Sequence, residues 1–166
     1  PDISIEPDKF SNILKSLLSK RHIFNFANIY KRNNESIVDA KSFLISDDIY
    51  SEFKQYLDDK DYEYETNTEK AIKKLEKDAE GEKYFVELKD QLELLSTKME
   101  ESKNNDIERF KNEISELLEM EIVTRYYYQK GKIESTLKHD QEISKAIEVL
   151  NNISLYNAIL HGDTIQ

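Results

Sequence analysis

Apolar positions recur along most of this chain at intervals of three and four, the spacing that keeps side chains on one face of an α-helix. Phe10, Ile13, Leu14, Leu17 and Leu18 form a first such face. Past Lys20-Arg21-His22 the apolar residues continue as Ile23, Phe24, Phe26, Ala27, Ile29 and Tyr30, but Ile23, Phe26 and Tyr30 project opposite the first stripe. Either the helix breaks at the basic triplet or it is buried on two sides. Residues 31–45 read as a loop. Ser46-Asp47-Asp48 reads as an N-cap with acids in the first turn of a short helix carrying Ile49, Phe53, Tyr56 and Leu57.

From Asp58 to Glu69 there are six acids against Lys60, a net charge of -5. Tyr62 and Tyr64 alternate with those acids, which predicts an extended, solvated connector over 59–65. Thr66 and Glu69 have the spacing of a capping box, opening a helix with Ile72, Leu75 and Ala79 on one face; Gly81 ends that helix or punctuates it. Phe85, Leu88, Leu92, Leu95 and Met99 make a heptad seam over 82–103. Asn104-Asn105-Asp106 reads as a turn, and Phe110, Ile114, Leu118, Ile122, Tyr126, Gln129 and Ile133 mark a helix over 107–137. The expectation is a long antiparallel hairpin of these last two helices. A final helix starts near Asp140 with Ile143, Ala146, Ile147 and Leu150, followed by a tail carrying Leu155, Tyr156, Ile159 and Leu160.

Ile3-Ser4-Ile5, bracketed by Pro1 and Pro7, alternates like a strand rather than a helix. The fold class expected is mainly α: a helical domain over 8–166, preceded by a short strand stump over 1–7 left from an upstream domain. Within it we expect N-terminal helices over 8–58, the acidic connector, the helix and hairpin over 66–137, and a terminal helix and tail over 138–166. Composition narrows the function. Three Gly and two Pro are too few for a sheet enzyme with many tight turns, and 17 Phe and Tyr at helical intervals argue against disorder. A net charge of -10 disfavours phosphate-backbone binding, so no nucleic-acid partner is expected. No apolar run approaches membrane-spanning length, so no direct membrane insertion by this chain is expected. Cysteine is absent, which suits an exported or a cytosolic chain equally.

Candidate chemistry is sparse. His22, His139 and His161 lack a second His at ligand spacing and read as solvated surface residues. The acidic run lacks the Asp-x-Asp-x-Asp-Gly loop of a Ca²⁺ site. Neither metal nor cofactor is expected. Carboxylates such as Glu69 and Glu121 read as i,i+4 partners of Lys73 and Arg125. Ser16 and Lys20 stand at i,i+4, but nothing Gly-rich surrounds Ser16 to supply an oxyanion site, so no catalytic residue is assigned. Arg125-Tyr126-Tyr127-Tyr128-Gln129-Lys130-Gly131 is the most distinctive string: three consecutive helical tyrosines point three ways, so Tyr126, Tyr127 and Tyr128 are candidates for an aromatic surface. The stripe that changes sides makes Phe10, Leu14, Leu17, Ile23, Phe26 and Tyr30 the candidate interface with an upstream body, and self-association through it is expected of the chain alone.

Pro1-Asp2-Ile3-Ser4-Ile5 resembles the strand that closes the catalytic core in carboxyl-terminal processing peptidases, the tail-specific family of serine peptidases. Ser16-Leu17-Leu18-Ser19-Lys20, Lys83-Tyr84-Phe85, the string from Glu113 to Glu119, the string from Glu121 to Gly131, and Lys145-Ala146-Ile147-Glu148-Val149-Leu150 are similar to the C-terminal extension of one bacterial envelope subgroup. The resemblance implies an exported parent in the periplasm or cell envelope, with a Ser/Lys dyad and a PDZ module outside this chain. It implies a non-catalytic accessory domain that braces the core, assembles protomers, or contacts a protein substrate or adaptor. Two other classes fit the residues alone: a free-standing helical adaptor or coiled-coil scaffold, and an acidic metal- or ligand-binding module.

Overall fold

The computed structural model describes residues 3–5 and 9–162. Among these it contains nine helices and no strand: α1 (Asn12–Ser19), α2 (His22–Asn33), α3 (Asp47–Leu57), α4 (Asn67–Glu82), α5 (Phe85–Asn104), α6 (Asp106–Arg109), α7 (Lys111–Thr136), α8 (Gln141–Asn151) and α9 (Ile153–His161). The mainly α expectation holds. Of the expected strand stump, Ile3–Ile5 is irregular backbone, and the rest lies outside the described residues. The chain divides into two compact units: residues 10–26 with 46–115, and residues 27–45 with 116–166 and the N-terminal residues.

The first unit resolves the stripe that changes sides. The helix does break at the basic triplet: Arg21 takes φ 61, a left-handed conformation rare for a side-chain-bearing residue. α1 starts at Ser11, whose Oγ accepts from the Leu14 N–H, and buries Ile13, Leu14 and Leu17. Beyond the break Ile23 and Phe26 are buried as well, with the Phe26 ring 5.1 Å from that of Phe53 on α3 and 5.7 Å from that of Tyr56. Aromatic edges in this geometry attract beyond their apolar area. α3 opens as expected on Ser46, with Asp47 and Asp48 in the first turn. Buried Tyr50 donates its hydroxyl to the Ile107 carbonyl at 2.6 Å, and burial pushes its phenol well above the usual range.

The acids of the connector stay exposed, as expected, while its backbone is held by donors from elsewhere in the unit. Ser16 Oγ donates to the Tyr62 carbonyl at 2.7 Å, Lys20 Nζ reaches Asp61 Oδ1 at 2.7 Å and the Glu63 carbonyl at 3.0 Å, and His22 Nε2 lies 2.8 Å from the Asp61 carbonyl. Extended backbone has no ladder of its own here, and these donors satisfy it. α4 begins with the expected capping box: the Thr66 N–H donates to Glu69 Oε2 at 2.6 Å and the Glu69 N–H to Thr66 Oγ1 at 3.1 Å. Glu69 pairs with Lys103 at 2.8 Å rather than with Lys73, which reaches back to Glu65 at 2.6 Å.

The hairpin differs from expectation. Gly81 punctuates α4 without ending it; Lys83, left-handed at φ 66, ends it, and α5 folds back along α4. Ile72 and Ala79 of α4 and Leu92 of α5 are buried. A heptad seam demands a partner helix without naming one, and the tight turn at Lys83-Tyr84 gives α5 its partner on the N-terminal side. The expected helix over 107–137 is interrupted by Phe110 and again inside α7, where Tyr128 takes φ 55, ψ −151.

In the second unit Ala27, Phe43, Leu118, Ile122 and Val123 are buried, and the rings of Tyr30 and Phe43 are 6.3 Å apart. The loop over 34–46 is fastened at Asp39, whose carboxylate accepts from the Lys41 and Ser42 N–H groups. Lys138 Nζ donates to the Phe43 carbonyl at 2.8 Å and pairs with buried Glu119 at 2.5 Å. α8 opens on Asp140 Oδ1, which accepts from the Ile143 N–H, and α9 folds back on α8.

Candidate interaction surface

Of the six residues expected at an interface, Leu14, Leu17, Ile23 and Phe26 are buried inside the chain and offer nothing to a partner. Tyr30 is half-buried; Phe10 is exposed, as are Leu18 and Phe24. The apolar stripe was real, but the break at Arg21 turns both of its halves inward.

The three tyrosines split their roles. Tyr126 donates its hydroxyl to the Asn34 carbonyl at 2.6 Å, with Lys31 Nζ 3.7 Å from its ring centroid. Tyr127 donates to the Ile37 and Val38 carbonyls at 3.2 and 3.1 Å. These two pin the loop after α2. Tyr128 is 78% exposed, on backbone that glycine adopts more readily than tyrosine. The same elbow explains Gly131: a Cβ there would lie 2.3 Å from Tyr127 Cβ and 3.1 Å from Val123 Cγ1. Gly131 was the one signal of this kink in the sequence. Arg125 sits on the same turn, its Nε donating to Asn28 Oδ1 at 2.7 Å and its Nη1 pairing with Glu121 at 2.6 Å.

The polar groups with candidate chemistry are structural. Ser16 spends its proton on a backbone carbonyl, and Lys20 is paired with Asp61, so no nucleophile–base pair exists there. Asp61 is held below the usual carboxylate range by that lysine. His22, contrary to expectation, is buried; His139 lies 3.3 Å from Glu119 and 3.7 Å from Glu116, and His161 faces the Asn157 carbonyl. Among the described residues no group of His, Asp and Glu could hold a metal ion, and no helix is long and apolar enough to cross a membrane.

An open cavity of ≈ 660 Å³ lies beside the connector, with Lys60, Lys73 and Lys103 in its lining together with Asp58, Glu63, Glu69 and Glu100. Lys103 donates to the Tyr64 carbonyl at 2.6 Å and stands over the Tyr64 ring, whose hydroxyl donates to Asp106. Burial, together with that carboxylate, pushes the Tyr64 phenol well up. Burial raises the Glu69 carboxyl too, but Lys103 and Thr66 outweigh it and hold it below the ordinary value. Lys103 is committed to Glu69 and Lys73 to Glu65, so these groups form a clamp at the base of the α4–α5 hairpin.

An uncovered apolar surface of the second unit lies on α8–α9. No residue of either helix is buried, although Ile147, Leu150, Ile153 and Leu160 are all large and apolar. An open, mainly apolar groove of ≈ 420 Å³ is lined by Ala146, Val149, Leu150, Tyr156, Ile159 and Leu160 of these helices together with Ile3 and Ile5, with Glu142 and Lys145 as its charged residues. Sequence periodicity placed Ile143, Ala146, Ile147 and Leu150 in a last helix and Leu155, Tyr156, Ile159 and Leu160 in a tail, and could not say how little of them the chain would bury.

Residues 13–150 match a family described as "Probable PDZ-protease, C-terminal helical domain". No curated protein and no solved structure matched the chain. Helix, connector, hairpin and tyrosine elbow all fall within the match, which takes in far more than half of the residues, and the chain therefore belongs to the family of C-terminal helical domains of probable PDZ-proteases.

Proposed function

We propose that this domain is the non-catalytic accessory part of a carboxyl-terminal processing serine peptidase of the cell envelope, and that it braces the upstream catalytic core of the same polypeptide through α8–α9. The core would supply the Ser/Lys dyad and the PDZ module that the resemblance implies. The observation that carries this reading is the open apolar groove of α8–α9, which Ile3 and Ile5 help to line. Burying a large apolar side chain is worth about 1.5–3 kcal/mol, so a face with several of them is stabilised by a body that covers it. The Ile3–Ile5 segment, similar to the closing strand of such a core, brings that body to the groove. The surface that meets the core is thus α8–α9.

The test is Ile147→Lys with Leu150→Lys in the intact polypeptide. The expected result is loosening of the domain from the core, seen as new protease-sensitive sites, while hydrolysis of a small unstructured peptide persists. Unchanged proteolytic resistance in that variant would defeat the bracing role, and loss of the small-peptide reaction in a folded variant would defeat the accessory one.

A further inference from the structure

The α4–α5 hairpin carries a second uncovered face, in the other unit and independent of the docking face proposed above. In α5, Phe85, Leu92 and Met99 form the row toward α4, with Leu92 at 3% exposure; Leu88 and Leu95, about 50° around the helix, stay 39% and 49% exposed. In α4, Ile72 and Ala79 are buried, and Leu75, about 60° around from Ile72, is 48% exposed. Because the helices run antiparallel, these rotations bring Leu75, Leu88 and Leu95 to the same side of the hairpin.

We infer that this face binds the same face of a second copy of the chain, the two hairpins lying antiparallel about a two-fold axis. Leu88 and Leu95 are one heptad apart, and Leu75 stands on α4 at the level midway between them. An axis through Leu75 sets Leu88 of one copy opposite Leu95 of the other at both ends and Leu75 opposite itself, the self-complementarity an isologous interface requires. Charge obeys the same symmetry. Glu87 lies on the outer edge of this face toward the turn and Lys98 on that edge toward the base, so the axis brings each Glu87 within reach of the other copy's Lys98. Among the described residues neither is in an intrachain ion pair. α4 has 16 residues and is about 24 Å long, so a face two helices wide offers on the order of 500 Å² per copy. Stable complexes bury about 800 Å² per partner, so this is a weak, reversible dimer.

The test is sedimentation equilibrium of the whole 166-residue chain, from micromolar to near-millimolar concentration. Wild type is expected to be a monomer–dimer mixture. Leu88→Lys with Leu95→Lys is expected to raise Kd at least about tenfold with circular dichroism unchanged, since both side chains are already half-exposed. Leu75→Glu serves as the second variant should that one lose helix. Glu87→Lys alone and Lys98→Glu alone each set like charges opposite at both ends and should weaken the dimer; an equimolar mixture of the two restores opposite charges at both ends and should restore association. A chain that stays monomeric throughout overturns the inference. So does a dimer abolished by Ile147→Lys with Leu150→Lys but untouched at Leu88 and Leu95, which would place the self-contact on α8–α9. A charge-swapped mixture that fails to associate overturns it as well.

Discussion

In the α4–α5 hairpin the apolar rows divide, with Ile72, Ala79 and Leu92 buried and Leu75, Leu88 and Leu95 exposed, whereas in the α8–α9 hairpin no residue is buried. The bases differ as well. α4–α5 rises from a charged clamp in which Lys103 holds Glu69 and the Tyr64 carbonyl. α8–α9 follows α7, whose last turns are set by a steric elbow at Tyr128 and Gly131, with Lys138 and Glu119 closing its end. Ordering a helix costs conformational entropy, which buried apolar area must offset. The first hairpin has a small core of its own to do so, and its exposed flank is an addition. The second has none, so its order depends on what covers it. The two arms therefore suit the different roles proposed for them: a reversible contact with a defined register, and a standing contact within one polypeptide.

The steric base gives the largest expected effect. Gly131→Val places a branched side chain where even a Cβ lies 2.3 Å from the rigid Tyr127 Cβ, and should cost about 3 kcal/mol in denaturant unfolding, at acid and neutral pH alike. A loss below about 0.5 kcal/mol would show that the elbow tolerates a side chain and that both bases are equally forgiving.

The charged base should respond to pH. The Glu69 carboxyl is held below its ordinary value in the folded chain, so its contribution is present above the unfolded pKa of about 4.3 and is lost as pH falls through the lower folded value. Glu69→Gln should cost about 1 kcal/mol at neutral pH, and the gap in Tm from wild type should close below about pH 4. A gap that stays constant down to pH 3 would mean that the clamp acts through packing alone.

The smallest effect has a diagnostic sign. Glycine inside a helix usually destabilises by about 1 kcal/mol, but at φ 55, ψ −151 Tyr128 occupies backbone that costs about 1–3 kcal/mol for a side-chain-bearing residue. Tyr128→Gly should therefore raise stability by about 0.5–1 kcal/mol, and a loss of that size would argue for an unbroken α7.

Local signals in the sequence located the helices well. Ser46, the Thr66–Glu69 box and Asp140 cap α3, α4 and α8 because capping is decided within four residues. The change of side at Lys20-Arg21-His22 marked a true break. What depended on distant partners was not legible. Ser16, Lys20 and His22 reach some 40 residues along the chain to hold the connector, and nothing in an acidic run names its donors. The seam in α5 did not identify α4 as its partner, since the turn between them contains neither Gly nor Pro and relies on Lys83 at positive φ. For the candidate interface, periodicity found the apolar rows at Leu14, Leu17, Ile23 and Phe26, but whether a row faces inward is settled only by packing.

Amide hydrogen exchange, followed peptide by peptide in this chain alone and in the polypeptide that includes its upstream core, tests the central claim most directly. The expected result is fast exchange across α8–α9 in the chain alone and protection there of at least about tenfold in the longer polypeptide, with the amides around Leu92 protected in both. Equal exchange of α8–α9 in the two proteins would contradict the account, because the face assigned to the core would then be covered by nothing.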